Sequence, residues 1–262
     1  MAKSPDSLED VGTAARAGAA SRLAELIRES RCTVALTGAG ISVPSGIPDF
    51  RSPGTGIWEK VDPMEVAHIE AFRRDPERFW QFYRPRFSML QDTQPNEAHL
   101  ALANLESQGL LDAVVTQNID RLHRKAGTER LIEVHGSIDT SSCTSCDASY
   151  PLAEVADLFT NGVAHCRSCS GLVKPDVVLF GELLPGDAMR EAQELAERCD
   201  LMLCVGSSLE VYPVAGLPSI ALALGAKIAI VTQGSTPYDS DAEVKMDGDV
   251  VEDMSAVLSA LD

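Results

Sequence analysis

Short apolar runs alternate with segments of helical periodicity along most of this chain, and the apolar runs predict buried strands. The predicted strands are residues 34–37, 113–116, 131–134, 177–180, 201–205 and 227–232. The intervening segments predict helices over 13–29, 96–108, 187–198, 213–224 and 250–261. This alternation predicts an α/β fold with a doubly wound parallel sheet, in which functional loops follow the carboxyl ends of the strands.

Three parts of the chain stand outside the alternation. Residues 1–12 are mostly polar and are predicted to form a disordered lead, so that the folded domain would cover 13–262. Residues from about 52 to 95 hold glycines, prolines and most of the aromatic side chains, and they predict a helical insertion. A module that contains four grouped cysteines occupies about 137–175.

The charge of the chain limits its partners. The 262 residues carry a formal net charge of −17, which repels phosphate backbones, so we expect no direct nucleic-acid binding. This charge would attract basic polypeptides, although acidity that serves solubility explains it equally well. The sequence has no apolar run of about 18 residues and no apolar signal-peptide core, so we expect a cytoplasmic protein that does not bind membranes. We also expect a monomer.

The first predicted strand ends in Gly38, Ala39 and Gly40, a loop whose backbone can approach a pyrophosphate closely. The fingerprint of dehydrogenases would require a third small residue where this chain has Val43, followed by Pro44. An acidic residue about 20 positions further on is also missing. The loop therefore predicts a nucleotide site that does not serve hydride transfer.

Two C-x-x-C pairs predict a metal site: Cys143 with Cys146, and Cys166 with Cys169. Four thiolates at this spacing favour one tetrahedral Zn²⁺, and they leave no open position for a reacting water, so the metal is expected to be structural. His165 could compete as a ligand.

Polar residues cluster after the next two predicted strands. Gln117, Asn118 and Asp120 are followed by His123, and the strand after them ends at His135. An imidazole suits a general base near neutral pH, and the glycine after His135 makes it the better candidate, although either histidine could be structural. Residues 177–182 and 209–213 are predicted to be extended and could pair with a peptide or could simply be strands.

Taken together, these motifs resemble those of the sirtuins, which are NAD-dependent protein-lysine deacylases. The matching segments are 38–42, 46–51, 116–120, 122–123, 135–136, both cysteine pairs, 174–178, 180–182 and 206–209. They occur in the order of the family and cover roughly residues 20–262.

The resemblance implies a Rossmann-like large domain and a smaller zinc module, with NAD and an acyl-lysine peptide bound between them. His135 would be the base, and Asn118 and Asp120 would shape the nicotinamide pocket and hold the reacting ribose. The implied NAD contacts are Gly38, Ala39, Gly40, Ile47, Asp49, Phe50, Arg51, Gln117, Gly206, Ser207, Ser208, Gln233 and Val250. The implied peptide contacts are Val178, Phe180, Gly181, Glu210 and Tyr212. The products would be nicotinamide and O-acyl-ADP-ribose.

The acyl preference is predicted from Tyr83 and Arg86, which resemble the Tyr-x-x-Arg pair of members that remove succinyl or malonyl groups. Ala67 is also small where those members keep room for a longer chain. Two features oppose this prediction, because Pro85 would end or kink the helix and Asp49 follows the deacetylase pattern. We expect a deacetylase that also accepts acidic acyl groups, and the alternative is a surface arginine beside a core tyrosine.

Two alternative functions remain open at the level of sequence. One is a mono-ADP-ribosyltransferase on the same scaffold, and the other is a non-catalytic module that binds NAD or zinc. Gln233 also replaces the asparagine that the family commonly has after the last long strand, which leaves the contact with the adenosine ribose open.

Overall fold

The computed structural model describes residues 6–50, 54 and 56–262, with side chains from residue 13 onward. In chain order the strands are β1 (Thr33–Thr37), β2 (Ala113–Thr116), β3 (Leu131–Glu133), β4 (Gly136–Cys143), β5 (Ser149–Pro151), β6 (Phe159–Thr160), β7 (Val163–Ala164), β8 (Val173–Val177), β9 (Leu201–Val205), β10 (Lys227–Val231) and β11 (Val244–Met246). The α-helices are α1 (Asp6–Glu29), α2 (Pro63–Val66), α3 (Ile69–Arg74), α4 (Pro76–Asp92), α5 (Glu97–Ser107), α6 (Leu122–Ala126), α7 (Leu152–Val155), α8 (Gly186–Arg198), α9 (Leu217–Ala223) and α10 (Val250–Leu261).

A parallel sheet in the order β11-β10-β9-β1-β2-β3 forms the centre of the molecule. Strands β2 and β9 have the predicted bounds, and β1, β3 and β10 differ from the prediction by one residue at one end. The register places Thr37 beside both Thr116 and Val205. Three neighbouring strands therefore end together, and the loops that follow them meet at one edge of the sheet.

Helices cover both faces of this sheet. Val34 and Leu36 of β1 belong to the buried cluster that α8 and α9 complete, whereas Ala35 belongs to the cluster on the side of α1, α5 and α10. Successive side chains of a strand point to opposite faces, so a strand that is covered on both sides is apolar throughout. The predicted doubly wound α/β fold is confirmed.

The helical insertion and the cysteine-bearing module form one unit. Strands β4, β5 and β8 make an antiparallel sheet in the order β5-β4-β8, and β6 pairs with β7. Phe72 and Trp80 from the insertion share a buried cluster with Ile138 and Val173 of that sheet. Two segments that the sequence presents separately thus depend on a common core, which we call the small domain.

Helix α1 begins at Asp6, within the segment predicted to be a disordered lead, of which residues 1–5 lie outside the described part of the chain. One backbone prediction is wrong. The strand predicted over 177–180 does not join the parallel sheet, because β8 ends at Val177 and pairs antiparallel with β4. An apolar run indicates extended backbone without indicating which sheet it joins.

Smaller differences concern the C-terminal third. The helix predicted over 213–224 begins only at Leu217, after a 3₁₀ turn at Val214–Gly216. Strand β11 was not predicted, since its three residues are too few to show a period. In the part of the chain that the structure describes, no helix is both long and apolar enough to cross a membrane.

Candidate functional site

The glycine loop after β1 lies directly against the loop after β9. The Gly40 N–H donates to the Gly206 carbonyl at 2.7 Å, and the Gly38 N–H donates to the Val205 carbonyl at 3.1 Å. A β-carbon on Gly40 would lie 2.8 Å from the Gly206 oxygen, closer than side chains tolerate. Both glycine N–H groups are already paired, so their contribution to a nucleotide site would be close backbone approach.

A buried hydrogen-bond cluster joins this loop to the segment after β2. The Ser42 hydroxyl donates to the Asp120 carboxylate at 2.6 Å, and the Leu122 N–H donates to the other oxygen at 2.9 Å. The Asn118 amide donates to the Gly38 carbonyl at 3.0 Å and to Ser42 Oγ at 3.2 Å. Burial raises the pKa of Asp120, and the hydrogen bond from Ser42 opposes this shift. The structure therefore brings Asn118 and Asp120 together beside the glycine loop.

His135 lies where β3 ends and β4 begins, and one hydrogen bond determines its tautomer. Its Nδ1 lies 3.0 Å from the Gln117 carbonyl oxygen, which can only accept, so Nδ1 carries the proton and Nε2 of the neutral ring is free to accept one. Burial lowers the pKa of His135, and the bond to Gln117 opposes that shift. The Gln117 amide donates in turn to Ser207 Oγ at 3.1 Å. A proton acceptor thus lies beside the loop after β2, which Gln117 joins to the loop after β9.

His99 is not among the residues predicted from the sequence; it lies on α5 and is fully buried. The Asn96 backbone N–H donates to its Nδ1 at 3.4 Å, so Nε2 carries the proton and donates to Ser42 Oγ at 3.3 Å. A directed chain of hydrogen bonds therefore runs from the start of α5 through His99 and Ser42 to Asp120. The capping motif at Asn96 is the sequence signal that could have pointed to His99.

His123 is held in the interior and does not face the open loops. Its Nε2 lies 2.9 Å from Thr37 Oγ1, and its ring packs edge-on against His99 with centroids 4.9 Å apart. Burial lowers the pKa of His99 to about 4 and that of His123 to about 3, the latter with a small contribution from His99. Of the two histidines left open by the sequence, His135 therefore has the environment of a base.

The four grouped cysteines converge at the far end of the small domain. Their sulfurs all lie within 4.8 Å of one another, with Cys143 and Cys169 3.5 Å apart and Cys146 and Cys166 3.6 Å apart. Four sulfurs that hold one tetrahedral Zn²⁺ stand about 3.8 Å apart, so the donor set fits zinc. Backbone N–H groups of Ser145, Ser168 and Gly171 donate to three of the sulfurs at 3.4 Å, an arrangement that suits thiolates.

Comparison with known proteins decides the family. The sequence profile described as the Sir2 family matches residues 38–213. The chain belongs to the Sir2 family. It is 47% identical to an NAD-dependent protein deacetylase of Thermotoga maritima, with 87% of this chain and 92% of that protein aligned. It is also 47% identical to NAD-dependent protein deacylase 2 of Archaeoglobus fulgidus, over 87% of this chain and 90% of that protein.

Solved Sir2 structures have the same fold as this chain. The complex of Sir2 with a p53 peptide and NAD+ superposes with a TM-score of 0.82 at 46% identity, covering 90% of this chain and 95% of that one. Sir2Tm bound to a propionylated peptide superposes with a TM-score of 0.83 at 43% identity, covering 91% and 97%.

The other described residues that are predicted to contact NAD lie on segments after β1, β9 and β10 and at the start of α10. Phe50 stacks on Trp58 with centroids 5.1 Å apart, whereas Arg51 lies outside the described residues. Gln233 is exposed where β10 ends, and Val250 begins α10, which packs against the 3₁₀ helix Ala39–Ser45. Ile47 and Asp49 are half-buried, and Ser208 is exposed.

The predicted peptide contacts of the Sir2 chain lie on two segments without regular structure. Val178 and Gly181 belong to the turn after β8, in which Phe180 forms an isolated bridge with His68. Glu210 and Tyr212 are exposed on the segment after β9. The second segment is not extended throughout as predicted, because Leu209 has a left-handed φ of 55°.

Tyr83 and Arg86 lie on one helix that continues through Pro85, so of the expectation that Pro85 would end or kink the helix, the ending is wrong. Buried side chains on both sides of Pro85, such as Trp80 and Phe87, pack the helix into the core of the small domain. Arg86 lies over the Phe82 ring, 3.6 Å from its centroid, and donates to the Phe82 carbonyl. Burial raises the pKa of Tyr83 and lowers the pKa of Arg86.

Proposed function

We propose that this chain is an NAD-dependent protein-lysine deacylase. The observation that carries the proposal is His135, a half-buried neutral imidazole whose Nδ1 proton is held by the Gln117 carbonyl and whose Nε2 can accept a proton. It stands at the edge where the glycine loop, Asn118 and Asp120 meet. Relatives with this fold are called NAD-dependent protein deacetylases or deacylases, which agrees with that chemistry.

The residues at this edge fit NAD. Gly38 and Gly40 pack closely against Gly206 and Ser207, and a loop with two glycines allows its backbone to approach a pyrophosphate closely. The Asn118 amide and the Asp120 carboxylate offer polar groups for a ribose and a carboxamide. When bound, NAD supplies the ADP-ribose that accepts the acyl group as nicotinamide leaves.

The chain's own residues have separable roles in this reaction. His135 Nε2 takes a proton from a ribose hydroxyl, and the Gln117 carbonyl holds the resulting imidazolium in place through Nδ1. Asp120 keeps a fixed orientation because Ser42 and the Leu122 N–H occupy both of its oxygens. Preorganised groups of this kind stabilise charge that develops in a transition state without having to move.

Two backbone segments are suited to an acyl-lysine peptide. The N–H groups of Glu210, Val211 and Tyr212 donate to no group within the described part of the chain. Phe180 of the other segment is 41% exposed, and Gly181 adds no side chain. Unpaired backbone donors and an exposed aromatic ring favour a peptide that adds as a strand.

One zinc ion would be held by Cys143, Cys146, Cys166 and Cys169. His165 is not part of the group, since its Nδ1 contacts the Ser170 carbonyl at 3.1 Å. Strand β4 runs from Gly136, next to the base, to Cys143, and eight strand residues span roughly 20 Å or more. The distance and the closed donor set agree with a structural metal.

The acyl preference that we propose is acetyl, with acceptance of acidic acyl groups through Arg86. Tyr83 and Arg86 are three residues apart on α4. Arg86 is half-buried, with its guanidinium over the Phe82 ring, and would have to rotate away from that ring to reach the carboxylate of an acyl group. A guanidinium binds a carboxylate through two parallel N–H donors. Arg86→Met should lower turnover of a succinyl peptide about tenfold and leave an acetyl peptide unchanged. Arg84→Met, on the same helix, is the matched control, and equal effects of both variants would remove Arg86 from the acyl site.

The experiment that tests the function follows products by mass spectrometry. Protein, NAD and matched acetyl- and succinyl-lysine peptides are incubated, with His135→Ala alongside. We expect free lysine and O-acyl-ADP-ribose from the wild type and a loss of about 100-fold or more in the variant, the usual contribution of a general base. Nicotinamide release without deacylated peptide would refute the proposal and favour ADP-ribosyl transfer. NAD binding without nicotinamide release would favour a binding module.

A further inference from the structure

Lys174 and Glu182 belong to sequence motifs to which the proposed chemistry gives no role, and they contact each other. Lys174 Nζ donates to Glu182 Oε2 at 3.1 Å, to the Pro175 carbonyl at 2.9 Å and to the Val177 carbonyl at 2.8 Å. All three ammonium protons therefore have acceptors within the chain. The two side chains are only 15% and 24% exposed, so solvent screens this pair less than a surface ion pair.

Glu182 also closes the turn that follows β8. The Leu179 N–H donates to Glu182 Oε2 at 2.9 Å, and the Glu182 N–H donates back to the Leu179 carbonyl at 3.0 Å. Gly181, between them, has a φ of 87°, and a β-carbon there would lie 2.8 Å from His68 Nε2. The Glu182 carboxylate thus holds the turn in one conformation, and Lys174 holds the carboxylate in place.

This turn is also tied to the base and to the insertion. The Val178 N–H donates to the His135 carbonyl at 2.9 Å, and the Phe180 N–H donates to the Ala67 carbonyl at 2.8 Å. The Ile69 N–H donates back to the Phe180 carbonyl at 2.9 Å. The segment that Lys174 and Glu182 shape therefore runs from the base to the end of α2, along the proposed peptide site.

We propose that Lys174 and Glu182 are positioning residues that preorganise residues 178–181 for the acyl-lysine peptide. The inference rests on the proposed function. A segment that is ordered before binding loses less conformational entropy when the peptide arrives, so the pair raises peptide affinity without touching the peptide. NAD binds at the sheet edge through other residues, and its affinity is independent of the pair.

The test measures peptide and NAD separately. Binding of a fluorescent acetyl-lysine peptide is followed by anisotropy without NAD, and the KM for NAD is measured with saturating peptide. Lys174→Met and Glu182→Gln are expected to weaken peptide binding about tenfold, as expected when one charge-assisted hydrogen bond is lost, and to change the KM for NAD less than twofold. Lys174→Arg keeps the charge and should stay within about threefold of the wild type.

Controls separate positioning from a role in folding alone. Arg190→Met removes the same charge from an exposed ion pair on α8 and should change neither value. If Lys174→Met fails to fold, the isosteric Glu182→Gln decides. The proposal is overturned if folded Glu182→Gln binds the peptide as tightly as the wild type does. It is also overturned if the variant weakens peptide binding and raises the KM for NAD by the same factor. Peptide binding without turnover by the wild type would overturn the proposed function alone, whereas no binding of any acyl-lysine peptide would overturn both.

Discussion

The buried pair His99 and His123 predicts how the protein responds to acid. Both rings are neutral in the folded state, because burial lowers the pKa of His99 to about 4 and that of His123 to about 3. In the unfolded chain both titrate near pH 6.5. Their depressed folded-state pKa values mean that the stabilising effect is complete above pH 6.5 and is lost as the pH falls towards 4 and 3.

The size of the effect follows from these values. Between pH 7 and pH 5 the unfolded chain takes up about 0.7 proton per ring while the folded protein takes up almost none. Each histidine then lowers the free energy of unfolding by about 2 kcal/mol, and the pair by about 4 kcal/mol. That is a large fraction of the roughly 5–15 kcal/mol by which domains are stable. The raised pKa of Asp120 acts in the opposite direction, since the folded carboxyl takes up its proton first.

Urea unfolding at pH 7 and pH 5 with excess zinc measures the effect. In His99→Gln and in His123→Gln the loss of stability between the two pH values should shrink by about 2 kcal/mol each. Changes common to all variants, including protonation of the cysteines, cancel in this comparison. His68→Gln, a half-buried histidine outside the pair, is the control. A double variant with the same pH dependence as the wild type would refute the reasoning.

Three further predictions concern other parts of the structure. Gly40→Ala should cost about 1–3 kcal/mol of stability and weaken NAD binding, because its β-carbon would clash with the Gly206 carbonyl. Gly18→Ala on α1, with no atom within 4 Å of the added carbon, should raise stability by about 0.5–1 kcal/mol, and urea unfolding of both variants measures the two effects. Chelating the metal should expose all four thiols of the small domain to a thiol reagent and melt that domain first in hydrogen exchange; thiols that stay protected would contradict a structural metal. The exposed Glu210 should give a salt-dependent preference of about 1.4- to 5-fold for substrates with a basic residue beside the acyl-lysine. Glu210→Gln should remove this preference and Glu197→Gln on α8 should not, as measured by kcat/KM for peptides with and without the basic residue.

The local sequence pattern was sufficient to predict most strands of the parallel sheet. The apolar runs in the sequence predicted the positions of β1, β2, β9 and β10, because strands buried on both faces must be apolar throughout. The spacing of the four cysteines predicted their convergence, since few other arrangements keep thiols at that spacing. The position of His135 at a strand exit, followed by a glycine, singled it out as the base candidate.

Only the tertiary structure showed which distant residues meet. His99 contacts Ser42 across 57 positions, and Phe72 of the insertion shares a core with Val173. Gly40 faces Gly206, so its lack of a side chain serves loop packing, a requirement that a glycine in a sequence does not reveal. Periodicity reports which face of an element is buried but not what buries it. The hydrogen-bond chain to Asp120, the turn held by Lys174 and Glu182, and the common core of the small domain follow from how the elements pack, and packing depends on the whole chain at once.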